Sequence, residues 1–441
     1  MLHPQAPIRE RVGLALLICV HIITCCVSLV YLADADNPVA FEPATFHLFF
    51  DRAHLPIATF VVAAFALVSP VFVFARFSFG YFVGFYFYTT IVGYLWLNCF
   101  TDLNYDHRLA GLSAAISAMA FLFAALFVSL PIPRTYALTP RGFDRLLTSI
   151  LLLAIATIAI GAIYNFRFVG LTDIYNFRDT LDSPRLLKYS VSIVSNALLP
   201  FAFAGFVARR AFWRACVVLF LLLLFYPITL SKLPLLGPLW LLAMLLLSRI
   251  SGARTAVVLS LFVPILAGLA LHLAFRSQSA IYFSTVNFRM IAIPSSAMDI
   301  YNDFFSRHDL TYFCQISVVR RIMSCPYREP LWEIMEKAYK LGNLNASLFA
   351  TEGIASVGLW WAPLSAFLCG LVMTVGNAMS DGLPPRFILM SGAMLALVLL
   401  NVPLSIVLLT HGAAILFVLW YITPRSIFGV DDRVPVSLAR R

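Results

Sequence analysis

The sequence predicts an all-α, polytopic integral membrane protein: a single transmembrane domain over 1–441, about 12 transmembrane helices and one long extracytoplasmic loop. Three observations carry this. Of 441 residues, 61% are hydrophobic and 12% charged, and the mean hydropathy is +0.90; a soluble domain is nearer half apolar and about a quarter charged. The apolar residues fall in runs long enough to cross about 30 Å of hydrocarbon, which takes roughly 20 helical residues. The excess of basic over acidic residues falls at alternate connections between those runs. Too few charges remain to coat a soluble surface, which excludes a cytosolic enzyme, a secreted disulfide scaffold and a disordered chain.

Eight runs have the length of one crossing: 12–32, 56–75, 78–100, 109–130, 146–164, 189–208, 255–273 and 353–376. The first is long and lacks a small-x-small cleavage site, so it reads as a helix and not as a removable signal. The run 109–130 holds no ionisable residue. Two stretches are too long for one crossing. Residues 217–247 carry a single charge, Lys232, at their middle, and 387–422 are interrupted by Asn401-Val402-Pro403. Each reads as a helical hairpin, which brings the total to twelve and puts both termini on one side.

Charge orients the bundle. With the N-terminus inside, the cytoplasmic segments hold 16 of the 31 basic residues and five of the 21 acids. The net charge of +10 is therefore a topology signal, and no nucleic-acid partner is expected. Of the outer connections two stand out: a periplasmic loop at 165–188 and a large one at 274–345. The second is too long and too polar to be a plain connector, and long ordered loops tend to carry function.

Five of the eight cysteines (Cys19, Cys25, Cys26, Cys216, Cys369) lie within apolar runs and read as packing residues. Cys314 and Cys325 share the large loop, either as a disulfide or as two free thiols. No CxxC or HExxH signature points to a metal, and none is expected.

The chemistry-bearing residues lie toward the outer side. Ile163-Tyr164-Asn165-Phe166-Arg167 recurs as Ile174-Tyr175-Asn176-Phe177-Arg178, 11 residues on. Around Lys232 the flanking apolar stretches have 15 residues each, about 22 Å of helix, so the hairpin tip sits below the membrane surface. An ammonium recessed there needs an anionic partner or a wet cavity; snorkelling to headgroups is the structural alternative. The large loop adds Arg276, Arg289 and the run Asp299-Ile300-Tyr301-Asn302-Asp303, then closes on Gly342-Asn343-Leu344-Asn345 before Glu352-Gly353. Arginine forks suit phosphate. Asn and Asp beside aromatic faces suit a carbohydrate.

The order of these features resembles the oligosaccharide repeat-unit polymerases, the Wzy-type O-antigen and exopolysaccharide polymerases of the bacterial inner membrane. The resemblance rests on Tyr175 to Arg178 before the sixth helix, Ser231-Lys232 at the hairpin tip, Arg289 with Tyr301 to Phe305, Gly342 to Asn345, and Glu352-Gly353 leading to Val357-Gly358-Leu359. It implies a glycosyltransferase on the periplasmic face that needs no cofactor. A growing glycan on undecaprenyl pyrophosphate would be moved onto the next lipid-linked repeat unit in the lipid bilayer, with a chain-length regulator as a candidate partner. Cations in a partly dry site stabilise the diphosphate as the anomeric bond breaks. Arg178, Lys232 and Arg289, with Arg276 as helper, are the expected phosphate clamp. Tyr301, Asn343 and Asn345 are the expected sugar contacts. Glu352, and after it His308, are the expected bases for the acceptor hydroxyl.

Two rival readings remain. An O-antigen ligase would use a finished-lipid acceptor. A lipid-linked oligosaccharide flippase or other transporter would carry polar sites at the midplane between repeated halves, and charges here are scarce mid-helix.

Overall fold

The computed structural model describes residues 8–34, 46–170, 177, 183–276, 280–316, 318–341 and 350–429. The expected runs are all helical. In chain order they are α1 (Ile8–Leu32), α2 (Leu55–Ala66), α3 (Pro70–Phe74), α4 (Phe79–Leu97), α5 (His107–Phe127) and α6 (Pro140–Tyr164). Next come α7 (Arg185–Ile193), α8 (Leu199–Ala208), α9 (Phe212–Leu224), α10 (Tyr226–Thr229), α11 (Lys232–Ile250) and α12 (Ala253–Phe275). Then follow α13 (Ala280–Thr285), α14 (Ile293–Phe305), α15 (Leu331–Tyr339), α16 (Ala350–Met379), α17 (Pro385–Leu399), α18 (Leu404–Thr410) and α19 (Ala413–Ile422). Among the described residues nine helical stretches are long and apolar enough to cross a membrane. They are ten if α18 and α19, bent by 60° across Gly412, form one crossing. The chain is a multi-pass helical membrane protein.

Side-chain caps set several helix starts. Ser78 accepts from Tyr81 N at 3.0 Å, Asp106 from Leu109 N at 2.9 Å, and Thr139 from Gly142 N at 3.0 Å with Pro140 next in line. These oxygens satisfy N–H groups that have no partner within the helix. Stretch 217–247 turns as expected, at Leu230, held at φ 46°, and α11 starts at Lys232. Its arms are longer than the apolar runs, however: Phe212–Thr229 and Lys232–Ile250 have 18 and 19 residues and each is long enough to cross, so short arms do not recess Lys232.

α4 is the axis of the bundle. Every residue from Phe79 to Leu97 is buried. It carries four tyrosines, and the hydroxyls of three find partners inside: Tyr86 meets Ser260 Oγ at 2.8 Å, Tyr81 donates to Phe72 O at 3.1 Å and Tyr94 accepts from Asn302 Nδ2 at 2.8 Å. Around it, α16 lies along α5 through small residues. A β-carbon on Gly370 would stand 2.6 Å from Phe121 O, so only glycine permits this approach. Asn377 ties three helices together, accepting from Gly80 N at 2.7 Å and donating to Ala125 O at 2.8 Å.

Arginines that the charge count assigns to the cytoplasmic side also build structure. Arg425 is 3% exposed and donates to carbonyls of Met379, Asp381, Trp420, Tyr421 and Thr423, closing the ends of α16 and α19. Arg254 donates to Val73 O at 2.8 Å, and Arg209 pairs with Asp144 at 3.0 Å.

The stretch read as a large loop is largely helical and partly internal. α13 runs through a wide turn at Phe288–Ala292 into α14. Every residue from Pro294 to Phe305 is buried, with α14 packed against both α4 and α16. Cys314 and Cys325 form a disulfide, with Cα atoms 5.3 Å apart.

Candidate functional site

α14 has two working faces. Asp299, Asn302 and Asp303 stand at i, i+3 and i+4 and so share one of them. That face meets the end of α4 and the connection to α5. Asn302 Nδ2 donates to Tyr94 Oη at 2.8 Å, and Tyr94 Oη lies 3.3 Å from Tyr105 Oη. The Tyr105 hydroxyl touches both Asp299 Oδ1 and Asn98 Oδ1, the latter at 2.9 Å. Asn98 Oδ1 in turn lies 3.1 Å from His107 Nδ1.

Tyr105 thus has one hydroxyl proton for two acceptors, Asp299 and Asn98. Burial pushes the Asp299 carboxyl up, against the opposing hydrogen bonds of the Thr101 and Tyr105 hydroxyls. One turn on, Asp303 is treated differently. Three donors converge on its carboxylate: the Arg307 guanidinium, Tyr339 Oη at 2.6 Å and Asn104 N at 3.1 Å. His47 bonds Asp102 at 2.9 Å at the edge of the same region.

The other face of α14 carries Tyr301, 2% exposed, toward Glu352 on the first turn of α16. α16 is not one rod. Gly358 stands at φ 72° and ψ 178°, a conformation essentially closed to residues with a side chain. The chain folds back there, so that a β-carbon on Gly353 would stand 3.3 Å from the Cα of Ala362. In a straight helix nine residues span about 13 Å. Residues 350–357 are therefore a short helix tucked against the start of the long one. Its last carbonyls are taken by Thr311 N, which bonds Ala355 O at 2.8 Å, and Tyr312 N, which bonds Ser356 O at 3.0 Å. Across the recess Ser405 Oγ donates to Glu352 Oε1 at 3.1 Å. Ser405, Tyr301 and Cys369 are the described groups that bear on Glu352, and none is a cation.

The remaining expected residues are dispersed. His308 is exposed beyond the end of α14, its ring stacked 3.9 Å over Phe304 and its Nδ1 bonded to Phe304 O at 2.8 Å. Lys232 is half-buried at the start of α11, which packs against α9, α12 and α17. Arg276 is exposed just past α12, and Arg289 is exposed on the 288–292 turn, which packs against α1, α4 and α13. Lys232 and Arg289 thus sit on elements with different neighbours. Arg178, Asn343 and Asn345 lie outside the described residues. Of the expected site residues, Tyr301 and Glu352 come within electrostatic range of each other.

Tyr94, Asn98, Tyr105 and Ser405 were not singled out as site residues from the sequence. The spacing of Asp299, Asn302 and Asp303 among apolar residues was the signal for a helix with a polar face turned inward. Set against protein-family models, curated proteins and solved structures, the chain matches none.

Proposed function

We propose that this chain is a metal-independent glycosyltransferase that polymerises lipid-diphosphate-linked oligosaccharide repeat units, of the kind built on undecaprenyl pyrophosphate, on the periplasmic face of a bacterial inner membrane. The observation that carries the reading is the placement of Glu352. The fold-back at Gly358 brings a carboxylate against the bundle, with Ser405 holding one oxygen and Tyr301 beside it. A base fixed at the end of a transmembrane bundle is what a reaction on a lipid-anchored sugar needs.

In this reading all twelve helical runs cross the membrane and both termini are cytoplasmic, with 165–188 and 274–345 outside. The acceptor hydroxyl oxygen attacks the anomeric carbon of the donor sugar. The bond from that carbon to the phosphate oxygen breaks, the diphosphate leaves with the electron pair, and Glu352 takes the hydroxyl proton. Lys232 at its hairpin tip, and Arg178 and Arg289, with Arg276, are the cations available to the departing diphosphate. Asn343 and Asn345 complete the sugar contacts, and a chain-length regulator is the expected protein partner.

The test is purified protein with a lipid-diphosphate repeat unit, read as a ladder on a gel. The expected result is a ladder from the wild-type chain and none from Glu352→Gln at equal thermal stability. Sugar attached only to a finished lipid core would instead make the chain a ligase. Movement of the lipid across the bilayer without new glycosidic bonds would make it a transporter.

A further inference from the structure

Residues 311–328 contain three arginines, Arg320, Arg321 and Arg328, and no acid. The disulfide between Cys314 and Cys325 closes the part that carries Val318, Val319, Arg320, Arg321, Ile322 and Met323 into a ring. The base of this ring is built in. Cys314 is buried, Gln315 Nε2 donates to Glu329 O at 3.3 Å, and Arg320 Nη2 donates to Arg328 O at 2.9 Å. Its tip is the opposite: Val318 is 64% and Ile322 82% exposed. These side chains belong to no membrane-crossing helix, so exposure to lipid tails along a span does not account for them.

The ring is rooted where the bundle meets the membrane surface. Thr311 and Tyr312, just before it, bond the carbonyls of Ala355 and Ser356, and Leu310 packs against Gly358. Two residues past Gly358, Trp360 and Trp361 are exposed at the start of a long apolar helix. Paired exposed tryptophans at such a point mark the headgroup level. The ring therefore leaves the protein at that level, with the apolar side chains of Val318 and Ile322 and the Arg321 side chain exposed at its tip and the Arg320 guanidinium nearer its base. That combination fits a surface with phosphates outside and hydrocarbon just beneath.

We propose that the 314–325 ring is a membrane-surface anchor, seating Val318 and Ile322 among the phospholipid headgroups beside Trp360, with Arg320 and Arg321 over the lipid phosphates. The ring is continuous through Thr311 and Tyr312 with the short helix that carries Glu352. Seating it ties that helix to the bilayer surface.

The test uses the full chain in nanodiscs of phosphatidylcholine, with or without phosphatidylglycerol. Ile322→Trp and, separately, Val318→Trp are read as difference emission against the parent protein. The expected result is quenching by a headgroup nitroxide lipid, protection from aqueous iodide, and deeper nitroxide quenching when phosphatidylglycerol is present. The gain from phosphatidylglycerol should vanish when Arg320→Glu and Arg321→Glu are added. Iodide quenching without nitroxide quenching at both positions overturns the proposal. So does protection from both quenchers, which would mean a protein partner covers the ring.

Discussion

Gly353 packs against Ala362, nine residues along the same helical stretch, because the chain reverses at Gly358 between them. That contact turns what reads as the top of one crossing into a separate short helix, and it puts Glu352 beside Ser405.

The reversal depends on a backbone conformation that a β-carbon opposes. Gly358→Ala should cost about 1–3 kcal/mol. It should lower the melting temperature in detergent and reduce polymer formation more than the stability loss explains, since it misplaces Glu352. An unchanged melting temperature would show that the turn relaxes without strain.

Glu352 and Ser405 should separate by size of effect. Glu352→Gln should lower kcat by roughly 100-fold or more, the range of a lost general base. Ser405→Ala removes one hydrogen bond to a carboxylate and should lower kcat by roughly tenfold with KM unchanged. Equal losses from both variants would mean that Ser405 touches substrate directly.

Asp299 predicts a pH dependence of stability. Its carboxyl is raised in the folded chain, so the fold binds a proton there that the unfolded chain gives up at lower pH. The stabilisation from this group is complete below the ordinary carboxylate range and is lost as pH rises through the raised value. Asp299→Asn keeps a neutral donor and acceptor in place. Its melting temperature should therefore fall less than that of the wild type as pH rises from the ordinary carboxylate range toward neutrality. Identical slopes would place the titrating group elsewhere.

Arg425 should prove structural. A lysine in its place cannot span the carbonyls of Met379, Asp381, Trp420, Tyr421 and Thr423 from one ammonium. Arg425→Lys should cost roughly 1–3 kcal/mol for each carbonyl left buried and unbonded. Thermal unfolding should show it far less stable than the exposed-site control Arg141→Lys.

The helical runs were legible in the sequence because lipid-length apolar segments need no tertiary information. The hairpin around Lys232 is the clearest case: one charge between two short apolar stretches fixed the turn to within two residues of Leu230. α14 was not legible. Its 13 residues are too few for a crossing, and Asp299, Asn302 and Asp303 read as carbohydrate-binding groups of an outer loop until Tyr94 and Tyr105, about 200 residues earlier, are brought against them. The reversal at Gly358 was also missed, since Val357-Gly358-Leu359 reads as a helix start. Pro363, in the first turn of the long segment, was the available sign that the crossing begins near Leu359 and not at Gly353.

Complete enclosure of α4 has a consequence for biogenesis. A nascent chain meets the translocon one segment at a time, and a segment studded with tyrosine hydroxyls gains little by leaving the lateral gate alone. Two of its polar partners, Ser260 and Asn302, are synthesised more than 170 residues after the tyrosines they meet. The early segments must therefore wait, held by the insertion machinery or by one another, until the second half of the polypeptide arrives. Truncated products should be cleared by quality-control proteases rather than accumulate.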